Sequence, residues 1–136
     1  MPQNHSLLLL VEDNADDAFL FRRALEKSRL DCCLQVAKTG SEAVAYLQDL
    51  DQHPRPDLMF LDLNLPGLDG FGVLKWIRDQ PHLSTLPVVI FTGLNSSKHE
   101  TLACELGAKS VLTKPAQPED LAQVAKASGM CAIRAK

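Results

Sequence analysis

Short apolar segments alternate with amphipathic segments along the chain. Residues 7–11 and 58–61 form continuous apolar runs, which are typical of strands covered on both faces. Residues 86–93 are rich in β-branched side chains and also fit a strand. Two further strands are predicted at residues 32–37 and 109–114. The pattern therefore predicts five strands.

The segments between the strands have the spacing of amphipathic helices. Residues 14–29 repeat apolar positions at helical intervals, with acidic residues early and basic residues late, as the helix dipole favours. Ser41 or Thr39 is the candidate N-cap of the second helix. Strands that alternate with helices predict a parallel sheet with helices on both faces, which is a three-layer α/β fold. The remaining predicted helices span residues 41–50, 70–80, 96–107 and 117–128.

The size and charge of the chain narrow its class. With 136 residues, of which 46% are hydrophobic and 23% charged, the chain fits one globular domain with a sizeable core. A net charge of −3 argues against a nucleic-acid-binding surface, which needs a basic footprint. The first apolar run is too short for a signal peptide or a membrane span. We therefore expect a cytoplasmic protein that contacts neither nucleic acid nor membrane.

Polar residues follow four of the five predicted strands. The carboxyl ends of parallel strands lie on one edge of a sheet, where ligands bind at the point at which the strand order reverses. One polar strand end would be an ordinary solvated residue, but four converging ends favour a site over four unrelated surface positions. The residues concerned are Glu12 and Asp13 after the first strand, Asp62 after the third, Thr92 at the end of the fourth and Lys114 after the fifth.

The mixture of these side chains indicates the chemistry of the site. Three carboxylates would repel one another without a counterion, and oxygen ligands of this kind suit a hard cation, Mg²⁺ first. A lysine ammonium and a threonine hydroxyl are suitable partners for the oxygens of a phosphoryl group. Aspartate can act as the nucleophile in aspartyl-phosphate chemistry. Asp62, at the centre of the predicted sheet, is the candidate acceptor.

Four motifs together carry a family resemblance. They are "VEDN" at Glu12 and Asp13, "FLDLNLPGLDG" around Asp62, "FTG" at Thr92 and "LTKP" at Lys114. In this order and at these separations they resemble the receiver domain of two-component response regulators. The chain looks most like the stand-alone receivers that pair with bacterial phytochrome-type histidine kinases.

The resemblance implies the fold and the extent of the domain. It implies a flavodoxin-like (βα)5 fold with a five-stranded parallel sheet in the order 2-1-3-4-5. It also implies a single receiver domain over residues 1–136, with its core at about 6–128 and no output domain.

The resemblance further implies roles for the acidic residues. Asp62 would accept a phosphoryl group from a histidine of a sensor kinase or a phosphotransfer protein. Asp13, Asp62 and the backbone carbonyl of Asn64 would coordinate Mg²⁺, with Mn²⁺ as the alternative ion, and Glu12 would act through a bound water. The protein would then be a phospho-accepting signalling domain that assists its own phosphorylation and dephosphorylation, rather than an enzyme acting on a separate substrate.

The other site residues would convert phosphorylation into an altered surface. Lys114 would pair with Asp62 and then with the phosphoryl group, and Gly93 would leave space for that group. Thr92 would move to hydrogen-bond a phosphoryl oxygen, which couples the site to the surface of helix 4, strand 5 and helix 5. One departure from the family pattern is Val111. The family often has an aromatic residue at this position, and the rotamer of that residue follows the movement of the threonine.

Partner contacts are expected on two surfaces. Family members meet their kinases through the first helix, where Phe19 and Phe21 cannot share one face, so that one of them should be partly exposed. The downstream protein target is unknown. Receivers often dimerise through the face bounded by helices 4 and 5, so the resemblance also implies a homodimer as a candidate partner.

Two other functions compete with the signalling hypothesis. A phosphatase of the haloacid-dehalogenase type also uses an aspartyl-phosphate, but such enzymes favour a second aspartate as general acid where this chain has Asn64. A receiver-like scaffold that works without phosphorylation is the other alternative. Such variants usually lose an acid, the acceptor or the lysine, and all of these are present here; Val111 alone keeps that alternative open.

Overall fold

The computed structural model describes residues 6–63, 65, 67, 69–93 and 97–127 of the chain, without the side chains of residues 97–100. The five predicted strands are confirmed within one or two residues at each end. They are β1 (Ser6–Val11), β2 (Cys32–Ala37), β3 (Leu58–Leu61), β4 (Val88–Thr92) and β5 (Ser110–Thr113).

All strand pairs are parallel, and the order in the sheet is β2-β1-β3-β4-β5, as predicted. Strand β1 lies between β2 and β3, so that Leu10 pairs with Val36 on one side and with Phe60 on the other. The order therefore reverses between β1 and β3. This reversal places the carboxyl ends of β1 and β3 at the point where open α/β sheets bind ligands.

Side-chain caps fix the starts of three helices. Asn14 Oδ1 accepts the backbone N–H of Asp17 at 2.9 Å, and Thr39 Oγ1 accepts that of Glu42 at 3.0 Å. Thr39, rather than Ser41, is therefore the N-cap of the second helix. Asp69 caps the third helix in the same way. The helices are α1 (Ala15–Ser28), α2 (Gly40–Gln48), α3 (Gly70–Asp79), α4 (Ser97–Glu105) and α5 (Pro118–Ala127), and a 3₁₀ turn lies at Pro81–Leu83.

The sheet is covered by an apolar layer on each face. Alternate side chains of β1 and β3 point to opposite layers, so β3 is apolar at every position and β1 is apolar at every position after Ser6. One layer joins the sheet to α2 and α3, and includes Leu9, Met59, Val73, Leu74 and Ile77. The other joins it to α1 and α5, and includes Leu10, Phe21, Phe60, Phe91 and Leu121.

The two phenylalanines of α1 have different environments. Phe21 is fully buried, with its ring 4.9 Å from that of Phe60 and 5.3 Å from that of Phe91 between centroids, both in edge-to-face contact. Phe19 is 56% exposed. The prediction that Phe21 takes part in partner docking is therefore wrong, because its side chain fills the core beneath α1. The exposed residue of the pair is Phe19.

Within the described residues, no helix combines the length and the hydrophobicity needed to cross a lipid bilayer.

Candidate functional site

The ends of β1 and β3 bring three carboxylates together. Pairing continues one residue beyond each strand, since the backbone N–H of Glu12 donates to Ala37 O and that of Asp62 to Val11 O. As a result, carboxylate oxygens of Glu12, Asp13 and Asp62 lie within 4.8 Å of one another. Glu12 and Asp62 are buried, whereas Asp13 is exposed. The predicted acidic cluster is confirmed in its position.

Lys114 reaches this cluster from the end of β5. Its backbone N–H donates to Thr92 O at 2.9 Å, which fixes the residue beside β4. Its Nζ lies 2.6 Å from Glu12 Oε1 and 3.0 Å from Asp62 Oδ2. The same Nζ lies 5.4 Å from the centroid of the Phe91 ring, so the ammonium rests above the aromatic layer of the core.

Lys114 has a third carboxylate partner that the sequence analysis did not identify. Asp17 Oδ2 lies 3.0 Å from Lys114 Nζ, although 97 positions separate the two residues along the chain. Asp17 belongs to the first turn of α1, four residues after Asp13. An acid in the first turn is usually explained by the helix dipole, so the sequence pattern contains no separate signal for this contact.

Burial and pairing act in opposite directions on the charges of the site. Burial raises the pKa of Glu12. Hydrogen bonds from Lys114 and from the backbone of Asn14 act in the opposite direction and offset only part of this increase. Burial alone would lower the pKa of Lys114, but its hydrogen bonds with Glu12, Asp62 and Asp17 raise it above its ordinary range. Lys114 is therefore an ammonium throughout the physiological pH range.

Thr92 and Gly93 lie at the carboxyl end of β4, where Thr92 O accepts the backbone N–H of Lys114. Thr92 is buried at the end of this strand. A Cβ atom placed on Gly93 would meet no atom within 4 Å, so there is open space beside its backbone. The role of Gly93 beside a phosphoryl group stays a prediction.

Gly70 supports the site from below. A Cβ atom on Gly70 would overlap the carbonyl oxygen of Asp62 and would lie 2.6 Å from Leu63 Cα. The Gly70 N–H also donates to Leu63 O at 3.3 Å. The start of α3 therefore packs directly against the backbone that carries Asp62. The sequence motif contained this glycine, but its steric reason appears only in the structure.

The donor set fits a hard divalent cation. Two of the three carboxylates are buried, and Lys114 supplies one positive charge against three negative ones. The raised pKa of Glu12 shows that its buried charge is incompletely offset. Oxygen-only clusters of this kind bind Mg²⁺ or Mn²⁺ in preference to softer metals. Asn64, the predicted carbonyl ligand, lies outside the residues that the structure describes.

An amphipathic groove lies next to the site, between α1 and the chain that leads into α5. Phe19, Leu20 and Arg23 line it on the α1 side, while Pro115 and Pro118 line it on the other. The Arg23 guanidinium lies 5.8 Å from the centroid of the Phe19 ring. The exposed aromatic residue of α1 is thus part of a surface that combines apolar and cationic groups.

The sequence matches the family model of the response regulator receiver domain over residues 8–126. The chain belongs to this family. The matched region contains the described strands and helices, except for the first two residues of β1 and the last residue of α5.

The proteins that are similar to this chain include the response regulator Rcp1. Response regulator Rcp1 of Synechocystis sp. is 37% identical over 118 residues, which are 85% of this chain and 80% of that protein. The structure of Mn²⁺-bound Rcp1 superposes with a TM-score of 0.75, covering 90% of both chains at 35% identity. These matches confirm the predicted family.

Two further solved structures are similar over most of this receiver. The bacteriophytochrome response regulator AtBRR has a TM-score of 0.82 at 32% identity and covers 95% of each chain. The phosphorylated cyanobacterial phytochrome response regulator RcpA has a TM-score of 0.77 at 35% identity and covers 90% of each chain. The likeness to phytochrome-associated stand-alone receivers is therefore confirmed as well, while the absence of an output domain stays a prediction.

Proposed function

We propose that this receiver is a response regulator that accepts a phosphoryl group on Asp62. The observation that supports this most strongly is the position of the Asp62 carboxylate, which is buried at the end of the central strand and lies 3.0 Å from the Lys114 ammonium. A carboxylate oxygen of Asp62 forms a P–O bond as the P–N bond of a phosphohistidine breaks and the imidazole leaves. The product is an aspartyl phosphate.

We further propose Mg²⁺ as the ion that accompanies this reaction. Glu12, Asp13 and Asp62 are the described residues that would hold it, with the Asn64 carbonyl as an additional ligand. When bound, the ion would offset the negative charge of the carboxylates and of the incoming phosphoryl group. The Mn²⁺ bound to Rcp1 supports a divalent ion in a relative of this chain.

Lys114 and Thr92 supply the remaining charge and hydrogen bonding. The Lys114 ammonium lies within 3.0 Å of Asp62 before the reaction and is close enough to follow the new phosphoryl oxygens. The Thr92 hydroxyl donates to a phosphoryl oxygen after a small movement, which transmits phosphorylation to the surface of α4, β5 and α5. Val111 is half-buried against the core layer on the α2 and α3 face, where it is smaller than the aromatic residue that many relatives have.

Receiver domains of this kind are phosphorylated by histidine kinases, and we propose the groove beside Phe19 as the docking surface. A sensor kinase or a histidine phosphotransfer protein bound there would be close to Lys114, because Pro115 lines the groove. The switched face would bind the unknown downstream protein or a second copy of the chain. The cytoplasm remains the proposed location.

The first test of this function is the mass of the intact protein after incubation with acetyl phosphate, with and without Mg²⁺. We expect one Mg²⁺-dependent phosphoryl adduct in the wild type and none in Asp62→Asn. Asp16→Asn is the matched control, since it removes an exposed acid of α1 near the site. An adduct that persists in Asp62→Asn would place the acceptor elsewhere. A wild type that takes no phosphoryl group from acetyl phosphate or from a phosphorylated histidine protein would favour the scaffold alternative.

A further inference from the structure

Three carboxylates surround the Lys114 ammonium. Asp17 and Asp62 each accept a hydrogen bond from it at 3.0 Å, and Glu12 Oε1 forms an ion pair with it at 2.6 Å. Glu12 and Asp62 are strand-end residues whose side chains are 0% and 4% exposed, whereas the Asp17 side chain is 34% exposed. Asp17 is therefore the outer partner of the ammonium. The mutually close carboxylates are those of Glu12, Asp13 and Asp62, and Asp17 joins the site through Lys114.

The position of Asp17 is fixed by the start of α1. Its backbone N–H donates to Asn14 Oδ1 at 2.9 Å, and the Asn14 N–H donates in turn to Glu12 Oε2 at 3.1 Å. These two bonds connect the acidic strand end with the first turn of the helix. The backbone of Asp17 is thus fixed at the start of α1, and its partly exposed carboxylate lies 3.0 Å from Lys114 Nζ.

The contact with Asp17 opposes the attraction of the Lys114 ammonium toward Glu12 and Asp62. With Glu12 and Asp62 as its only partners, the ammonium would be drawn inward between the two buried carboxylates that the proposed metal needs. A partner on the outer side balances this attraction. Asp17 would also keep its contact with Lys114 if Asp62 became phosphorylated and the contact between Asp62 and Lys114 were exchanged for one with a phosphoryl oxygen.

We propose that Asp17 is a positioning residue for phosphoryl transfer, which holds the Lys114 ammonium between the carboxylate cluster and the place where the phosphoryl group forms. The proposal rests on the proposed function, since it assigns Lys114 a part in that reaction. It adds a residue from α1 to a site otherwise built from strand ends. Phe19 and Leu20, which line the proposed docking groove, follow Asp17 on the same helix.

The test compares Asp17→Asn with Asp16→Asn. Both variants remove one negative charge from the first turn of α1, so both lose the same helix-dipole contribution. Of the two residues, Asp17 is the one whose carboxylate contacts Lys114. Asp17→Glu keeps the carboxylate and serves as the rescue variant. Three quantities are measured: the NMR signal of the Lys114 ammonium, the affinity for Mg²⁺ by calorimetry, and the rate of phosphorylation by acetyl phosphate at saturating Mg²⁺.

We expect Asp17→Asn to shift and broaden the Lys114 ammonium signal and to slow phosphorylation roughly two- to fivefold, the range of a partly exposed ion pair. Asp16→Asn should leave both unchanged, and Asp17→Glu should restore most of the rate. Equal behaviour of Asp17→Asn and Asp16→Asn in signal and rate would overturn the proposal. So would a loss of Mg²⁺ affinity as large as the loss of rate, because Asp17 would then act on the metal.

The test also separates this inference from the proposed function. If the wild type took up no phosphoryl group, the proposed function would fail, whatever the lysine signal showed. If the wild type and Asp16→Asn were phosphorylated alike and Asp17→Asn matched them, only the role of Asp17 would fail.

Discussion

The apolar interior of β3 and the acidic residue at its carboxyl end are adjacent in the sequence but differ in chemical character. Leu58–Leu61 are all apolar and buried, and Asp62, the next residue, is equally buried but carries a carboxylate. The same change occurs from Val11 to Glu12 on β1. Burial stabilises the fold in the first region, while in the second it opposes ionisation and needs compensation from a cation. In both strands, apolar residues that stabilise the fold are therefore followed directly by an acidic residue of the candidate site.

Replacing the aromatic core beneath the site should give the largest change in stability. Phe60→Ala is expected to lower the free energy of unfolding by about 3–5 kcal/mol, since Phe60 is buried and packs against Phe21 and Phe91. Asp62→Asn, two residues further along, should change it by less than about 1 kcal/mol, because it removes one of three like charges and keeps a hydrogen-bond acceptor. Denaturant unfolding of both variants checks the contrast. Comparable losses would mean that core and edge are not energetically distinct.

Gly70→Ala should disturb the boundary between the two regions. The added Cβ would overlap the backbone of Asp62 and Leu63, so either α3 or the strand end must shift. We expect a loss of about 1–3 kcal/mol in the free energy of unfolding, together with slower phosphorylation. Gly93→Ala is the matched control for stability. Its Cβ would meet no atom within 4 Å. It should therefore unfold within about 1 kcal/mol of the wild type. A Gly70→Ala protein as stable as Gly93→Ala would show that α3 does not hold Asp62 in place.

The smallest predicted effect concerns the charge of Glu12. Because burial raises the pKa of Glu12 in the folded protein, the folded state binds this proton more tightly than the unfolded chain does. Its contribution to stability therefore decreases as the pH rises from the ordinary glutamate range through the raised pKa.

Glu12→Gln should remove this pH dependence. At neutral pH we expect a gain of no more than about 1 kcal/mol, since the ion pair with Lys114 is lost together with the buried charge. The affinity for Mg²⁺ should fall at the same time. Unfolding curves and calorimetry between acidic and neutral pH check both effects. A clear loss of stability at neutral pH would show that the Lys114 pair outweighs the desolvation of Glu12.

Most of the fold and the acidic cluster could be predicted because they follow from local patterns. Continuous apolar runs identified β1 and β3, and parallel pairing places the polar strand ends at one edge, which brought Glu12, Asp62 and Lys114 together as expected. The phase of α1 was left open, because Phe19 and Phe21 have the same hydrophobic character. Only the packing of α1 against α5 and the sheet decides that Phe21 is inside.

The parts that could not be predicted depend on contacts between distant segments. Asp17 and Lys114 meet because α1 and β5 converge at the sheet edge, and a single sequence contains no periodic trace of that meeting. The steric requirement at Gly70 is a backbone contact, which no side-chain pattern reveals. Such contacts depend on the final distances between elements rather than on the identity of the elements.

The most direct test of the account is to locate the phosphoryl group after reaction with acetyl phosphate and Mg²⁺. Borohydride reduces an aspartyl phosphate to an alcohol with loss of phosphate, so that peptide mass spectrometry of the reduced protein identifies the acceptor as a homoserine. The account predicts homoserine at position 62 and an unmodified Asp13 and Asp17. Homoserine at position 13 or 17 would contradict Asp62 as the acceptor. A protein that is phosphorylated but contains no homoserine after reduction would contradict it as well.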